Sequence, residues 1–288
     1  MTTADISQEV TQTIIKALKD GLVPWRSDHG FPKDSTTRRR YEGINAILLM
    51  LAAQRKGFKS PYWASSHDWQ LLGGKVIPNG GTPVVVPRSS LFGVRRGLVR
   101  RQVYNLDEVE GNFPSSRGEQ HGPDWERIHR VIYNTKADIR FTHELRAEYH
   151  FPGGDKNGDG DYIICCLKEH FDRGPGGSNA FYHVLLHELV HWTEPGARLG
   201  WYSRYQDVQE LRAEIGSDLL TTELAIPGFP YQARRNLQKH IGIWTQRMAG
   251  NPKLIFEVAQ AATEAADYIL GFTERVEAGE RLREGWAA

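Results

Sequence analysis

His187 and His191 stand four residues apart, and Glu188 follows the first of them. On a helix that spacing puts both imidazoles on one face, one turn apart. Two neutral imidazoles so placed can fill two positions of a tetrahedral Zn²⁺. A carboxylate at Glu188, beside the open coordination position, can take a proton from water and pass it to a leaving amine, the chemistry of peptide hydrolysis. Phe181, Val184, Leu185 and Leu189 make the other face apolar, so the carrying helix is expected to be buried, beginning near Gly177-Ser178. The bland alternative is a core helix whose histidines are satisfied by hydrogen bonds.

A catalytic site of this type has three protein ligands, so a third donor is expected downstream. Glu210 and Glu214, four apart on one helix face, are the candidates: one would bind metal and the other would orient a histidine ring. Spacing alone does not order them. Ala213, Gly216 and Ser217 are small enough to let that helix approach the motif helix. Zinc is the default ion for such donors, with manganese and cobalt as alternatives. Tyr202, Tyr205 and His183 are candidate oxyanion stabilisers. The apolar run Tyr162 to Leu167 is read as an edge strand that could pair with an extended peptide. Asp155 to Gly160 opens like a calcium loop, but the twelfth position, where a bidentate acid belongs, is Cys166, so a polar turn is expected there instead.

The elements that must position these groups follow from periodicity and punctuation. Ile6, Val10, Ile14 and Leu18 predict a helix over 5–20, and a buried helix is expected from Ile44 to Arg55. A short helix to Leu72 and strands at 75–77, 82–87 and 98–106 complete a first α+β module. The Gly-, Pro- and Ser-rich stretch 112–123 reads as a linker between domains 1–111 and 124–288. Beyond it, helices are expected at 125–135, 207–224, 231–248 and 252–279, with strands at 139–142, 147–150 and 162–167. The fold class is α+β in two domains.

The 288 residues are 40% hydrophobic and 25% charged, as in a soluble globular protein. The longest apolar run, Ile44 to Ala53, is too short to span a bilayer, and the N-terminus has no secretory pattern, so a cytoplasmic protein without a membrane partner is expected. The adjacent Cys165 and Cys166 would point to opposite faces of a strand, which disfavours a mutual disulfide and suits a reducing compartment. The net charge of +1 hides an asymmetry: residues 1–105 hold 16 Lys and Arg against 7 Asp and Glu, and the remainder 20 against 28. The basic half is the one a polyanion would meet. Within it Trp25, Arg26, Arg38, Arg39, Arg40, Tyr41, Trp63 and Lys75 interleave rings with cations. Single strands are held that way, bases on rings and phosphates along cations. Asn45, polar within an apolar helix, is read as an anchor near that surface.

Pro24-Trp25, Tyr41-Glu42-Gly43-Ile44-Asn45, Ser60-Pro61-Tyr62-Trp63, Leu72 to Val76, Gly81 to Val85 and Tyr104 to Gly111 resemble the N-terminal domain of ArdC-type antirestriction proteins. Asp161 to Phe171, His187 to Thr193 and Glu210 to Gly216 resemble its C-terminal domain, in the family's order and over nearly the whole chain. The chain departs at Glu194-Pro195, where the family usually has Gly-His. The resemblance implies a single-stranded-DNA-binding domain followed by a zincin-like metallopeptidase domain. It also implies a mobile-element, plasmid-borne role in protecting incoming DNA from host restriction. Duplex DNA and the host restriction machinery are further candidate partners. Two alternatives stand beside this. One is an active cytoplasmic zinc metallopeptidase acting on DNA-associated or other host proteins. The other is a plain metallopeptidase whose N-terminal half recognises protein.

Overall fold

Thr2 accepts a hydrogen bond from the Asp5 N–H while Asp5 receives that of Thr2, and this reciprocal cap starts helix α1 (Thr3–Lys19). The structure, a computed structural model, describes residues 2–78, 80–87, 97–113, 122–153, 160–172, 174, 176–228 and 235–273. Ile6, Val10, Ile14 and Leu18 lie on the buried face of α1, as the periodicity predicts. Strand β1 (Lys33–Asp34), helix α2 (Gly43–Lys56), strand β2 (Tyr62–Ala64), helix α3 (Ser66–Leu71) and strands β3 (Lys75–Val76), β4 (Thr82–Pro87), β5 (Leu98–Asn105) and β6 (Val109–Glu110) follow. They form a four-stranded sheet ordered β1-β2-β5-β4 and a small β3-β6 ladder. Leu49, Phe58, Trp63, Val84 and Val103 make one core cluster of this unit. Burying Trp63 and its aliphatic neighbours removes apolar area from water at roughly 25 cal/mol per Å², and this burial is the main force holding the sheet to α2.

The chain then runs through α4 (Trp125–Asn134), β7 (Asp138–Thr142), β8 (Ala147–His150), β9 (Tyr162–Cys166), α5 (Gly177–Trp192), α6 (Gln206–Glu223), α7 (Arg235–Gly250) and α8 (Leu254–Leu270). The second sheet is ordered β7-β9-β8, with β7 parallel and β8 antiparallel to β9. β9 is therefore the central strand. The expectation of an edge strand at 162–167 is corrected: both its edges are already bonded, and β8 has the outer edge beside α5. Cys165 and Cys166 are buried and free on β9.

Met1–Gln120 and Gln238–Gln260 form one compact unit, and His121–Leu237 with Ala261–Ala288 the other. The returning segment is tied to the first unit: the Thr11 hydroxyl donates to the Pro252 carbonyl at 2.8 Å, and Trp244 meets Trp25 edge-on at 6.5 Å. No helix among the described residues is long and apolar enough to cross a membrane. Most of the calcium-loop look-alike, 154–159, lies outside the described residues.

Candidate metal centre and candidate nucleic-acid interface

α5 and α6 pack closely because Gly216 has no side chain: a Cβ there would lie 2.9 Å from Val190 Cγ2 and 3.1 Å from Val190 Cγ1. That approach brings Glu210 to the two histidines. His187 Nε2 is 3.4 Å from Glu210 Oε2, and His191 Nε2 is 3.9 Å from Glu210 Oε1. The ligand atoms of His187, His191 and Glu210 all lie within 4.8 Å of one another. Tetrahedral ligand bonds of about 2.0–2.1 Å separate donors by about 3.3 Å, so this donor set needs little movement to close on a divalent cation.

Glu214, one turn further along α6, meets the opposite nitrogen: its Oε2 lies 3.7 Å from His187 Nδ1. The two glutamates thus differ in place. Glu210 shares the Nε2 side of both rings, and Glu214 stands behind one of them. Burial alone would lower the pKa of His187. The hydrogen bond to Glu210 and the charges of Glu188 and Glu214 outweigh it and push the pKa up to about 9. The cluster already attracts one positive charge, which is what a cation site needs.

Glu188 is buried, and burial raises its carboxyl pKa against the lowering charges of His187 and His191. The Tyr149 main-chain N–H donates to its carboxylate. Tyr149 therefore joins β8 to the motif helix. It is held in turn by Arg198 and Asp161: the Tyr149 hydroxyl donates to Asp161 at 2.8 Å, and Arg198 donates to Tyr149 Oη at 2.8 Å. Arg198, in the turn after α5, has no motif to mark it, and only the fold brings it to Asp161, just before β9. Of the candidate oxyanion groups, Tyr202 is largely exposed, Tyr205 precedes α6, and His183 is buried with Nε2 3.3 Å from Asp218. His183, Glu214 and Asp218 form a second, wholly buried donor group.

The basic half is sorted differently by the structure. Arg38 and Arg39 are exposed on the turn after β1, with Arg38 in the left-handed region at φ 60°. Arg38 lies over the Tyr62 ring at 4.5 Å and Arg40 over Phe31 at 5.3 Å. Arg26 is half-buried and pairs with Asp28 at 2.8 Å. Lys75 is exposed on β3. Tyr41 is half-buried against the core cluster, and burial with Asp34 and Asp68 nearby raises its phenol pKa. Trp25 and Trp63 are 0% and 1% exposed, so the expectation that their faces stack bases is corrected: they are core side chains. Asn45 is likewise committed. Its Nδ2 donates to the Val85 carbonyl at 2.7 Å and its Oδ1 accepts the Val85 N–H at 2.8 Å, so both its amide groups cap the edge strand β4 and neither is aimed at a ligand.

Comparison with known proteins joins the two halves. Residues 4–110 match the N-terminal domain of anti-restriction factor ArdC, and residues 126–261 match a zincin-like metallopeptidase. Two crystal structures of the antirestriction ArdC protein from R388 plasmid are similar over their full length. The metal-free one is 31% identical with a TM-score of 0.75, covering 93% of this chain and 98% of that one. The Mn(II)-bound one is 29% identical with a TM-score of 0.77, covering 94% and 99%. A DNA primase TraC of Escherichia coli is 29% identical over 93% of this chain, which spans only 27% of that protein's length. An uncharacterized protein of Sinorhizobium fredii, y4eC, is 24% identical over 93% of this chain and 92% of its own.

Proposed function

This chain belongs to the ArdC antirestriction family and carries a zincin-like domain, and from that premise we propose that it protects incoming DNA from host restriction by binding single strands through its N-terminal unit, while His187, His191 and Glu210 hold a divalent metal in the other. The observation that carries the DNA reading is the exposed Arg38–Arg39 turn, with the Tyr62 ring beneath Arg38, in the unit that matches the ArdC domain. Arginines there would meet phosphates, and the half-buried Tyr62 ring would offer a neighbouring base a face. Protection then follows by occupancy: DNA held as a single strand is not a duplex substrate.

For the metal, the fit is in the donor set: two imidazoles and a carboxylate converge on one point. Zinc suits that chemistry, and the related R388 protein was crystallised with Mn(II). When bound, a divalent ion supplies Lewis acidity. Glu210 and the two Nε2 atoms would hold it, and Glu214 would orient His187; Glu188, with the Tyr149 N–H favouring its ionised form against burial, would accept and return a proton.

The test is binding of a labelled single-stranded oligonucleotide across a salt series, with duplex of the same sequence beside it. Affinity that prefers the single strand and falls with salt supports the reading. No binding at low salt overturns the DNA part and makes the N-terminal unit a protein-recognition module. A second reading, an active peptidase on DNA-associated or host proteins, is favoured by one observation: Glu188 is a buried carboxylate beside both histidines, and a purely structural cation site has no need of it.

A further inference from the structure

His191 is gripped from behind by a group outside the expected ligand set. Its Nδ1 lies 2.9 Å from Glu194 Oε1, just past the C-terminal end of α5. The Glu194 side chain is 4% exposed and has Arg212 Nη1 at 3.7 Å. Arg212 is fully buried on α6, between Glu210 and Glu214 in sequence. It donates to the Val190 carbonyl at 3.2 Å, the Thr193 hydroxyl at 2.8 Å and the Ala261 carbonyl at 3.3 Å, and its guanidinium lies over the Trp201 ring at 4.8 Å. Every one of these contacts is within the second unit.

A buried ion pair of this kind is a poor source of stability, because desolvating two charges offsets their attraction. It does fix geometry. Arg212 is bolted to the backbone of α5 and to Thr193, so the Glu194 carboxylate has one place to sit. From there it accepts a hydrogen bond from one nitrogen of His191 only. The other nitrogen, Nε2, is left facing Glu210. His187 is arranged the same way, with Nδ1 toward Glu214 and Nε2 toward Glu210. Each imidazole thus has its own carboxylate on Nδ1, from a different element, and both offer Nε2 to the same side.

We propose that Glu194, anchored by the buried Arg212, is a positioning residue of the metal centre: it fixes His191 in the Nδ1–H tautomer and so presents Nε2 to the cation. This rests on the reading of His187, His191 and Glu210 as the metal ligands. Outer carboxylates on metal-bound histidines are worth roughly 10–100-fold in metal affinity. Glu194 is expected to act on affinity and tautomer together, which a merely structural residue would not.

The experiment uses the full chain stripped of metal with EDTA, titrated with MnCl₂ by calorimetry, as wild type, Glu194→Gln and Glu194→Ala. Glu194→Gln keeps an acceptor for both His191 and Arg212, so it stays folded and is expected to bind about tenfold more weakly. Glu194→Ala, where it folds, is expected to lose up to about 100-fold. Long-range ¹H–¹⁵N spectra of the histidine rings at alkaline pH should show His191 as the Nδ1–H form in wild type and shifted toward Nε2–H in Glu194→Ala. Affinities within twofold of wild type, or an unchanged His191 tautomer, overturn the proposal. Wild type that binds no Mn(II), or binding indifferent to His187→Ala and His191→Ala, instead overturns the metal reading beneath it.

Discussion

Gly216 sets the separation of the two helices that carry the metal donors, and replacing it with alanine tests that directly. The added Cβ would lie 2.9 Å and 3.1 Å from the two methyls of Val190 and 3.6 Å from the Ala262 carbonyl. Val190 is fully buried in α5 and, being β-branched in a helix, cannot rotate away. Two effects oppose each other. Glycine to alanine inside a helix gains about 1 kcal/mol. Forcing a methyl into a packed interface costs about 1–3 kcal/mol. Gly216→Ala alone should therefore lose about 0–2 kcal/mol. Val190→Ala removes the methyls that are hit and, on its own, should cost about 2–3 kcal/mol through reduced burial and a small cavity. In that background Gly216→Ala meets no clash and should become neutral or stabilising by up to about 1 kcal/mol. The pair should thus show a favourable coupling of about 1–3 kcal/mol in urea unfolding of the four metal-free proteins. Gly216→Ala should also weaken Mn(II) binding, because pushing α6 outward carries Glu210 away from His187 and His191. Equal effects of Gly216→Ala in both backgrounds would refute the claim that the meeting of Gly216 with Val190 sets the helix spacing.

Glu188→Gln should leave stability equal or higher, since it removes a buried carboxyl whose ionisation burial disfavours, and antirestriction in a conjugation assay should survive it; loss of protection would favour the peptidase reading. Arg38→Ala with Arg39→Ala should leave melting within about 0.5 kcal/mol but lower the salt slope of single-strand binding by about 0.7 for each phosphate the arginines neutralise. Trp25→Ala, by contrast, should cost about 3–5 kcal/mol in a denaturation experiment. Hydrogen bonds from Arg198 hold the Asp161 carboxyl below its usual range, so its contribution is present above the unfolded value of 3.8 and is lost as pH falls through the lower folded value. Asp161→Asn should therefore melt below wild type at neutral pH, by about 1 kcal/mol or less because the carboxylate itself is exposed, and the gap should close in acid.

The helices and most strands are legible in the sequence because their apolar residues repeat at helical or alternating spacing, as in Ile6, Val10 and Ile14 of α1. His187, Glu188 and His191 are legible for the same reason: the spacing is itself the geometry. What a linear reading cannot supply is direction. Glu210 and Glu214 share a helix face, and only the packed pair of helices shows that one meets Nε2 and the other Nδ1. Trp25 and Trp63 look like a stacking platform in sequence, but tryptophan beside arginine has the same composition whether the ring points inward or outward. Strand order is also silent in sequence, so β9, apolar enough to be central, reads equally well as an edge. Glu194 stands out in sequence only as a departure from the family's pattern, although three residues after a histidine at a helix end is within reach of its ring. The return of Gln238–Gln260 to the first unit has no local signal, since a helix packs by its apolar face whichever unit it covers.

In the proposed metal centre, His187, His191 and Glu210 bind one divalent cation while Glu214 stands behind His187. Calorimetric titration of the EDTA-treated chain with MnCl₂, in wild type, Glu210→Ala and Glu214→Gln, tests it most directly. Wild type is expected to bind one equivalent, Glu210→Ala none, and Glu214→Gln one equivalent roughly 10–100-fold more weakly. Full binding by Glu210→Ala, with loss confined to Glu214→Gln, would contradict it.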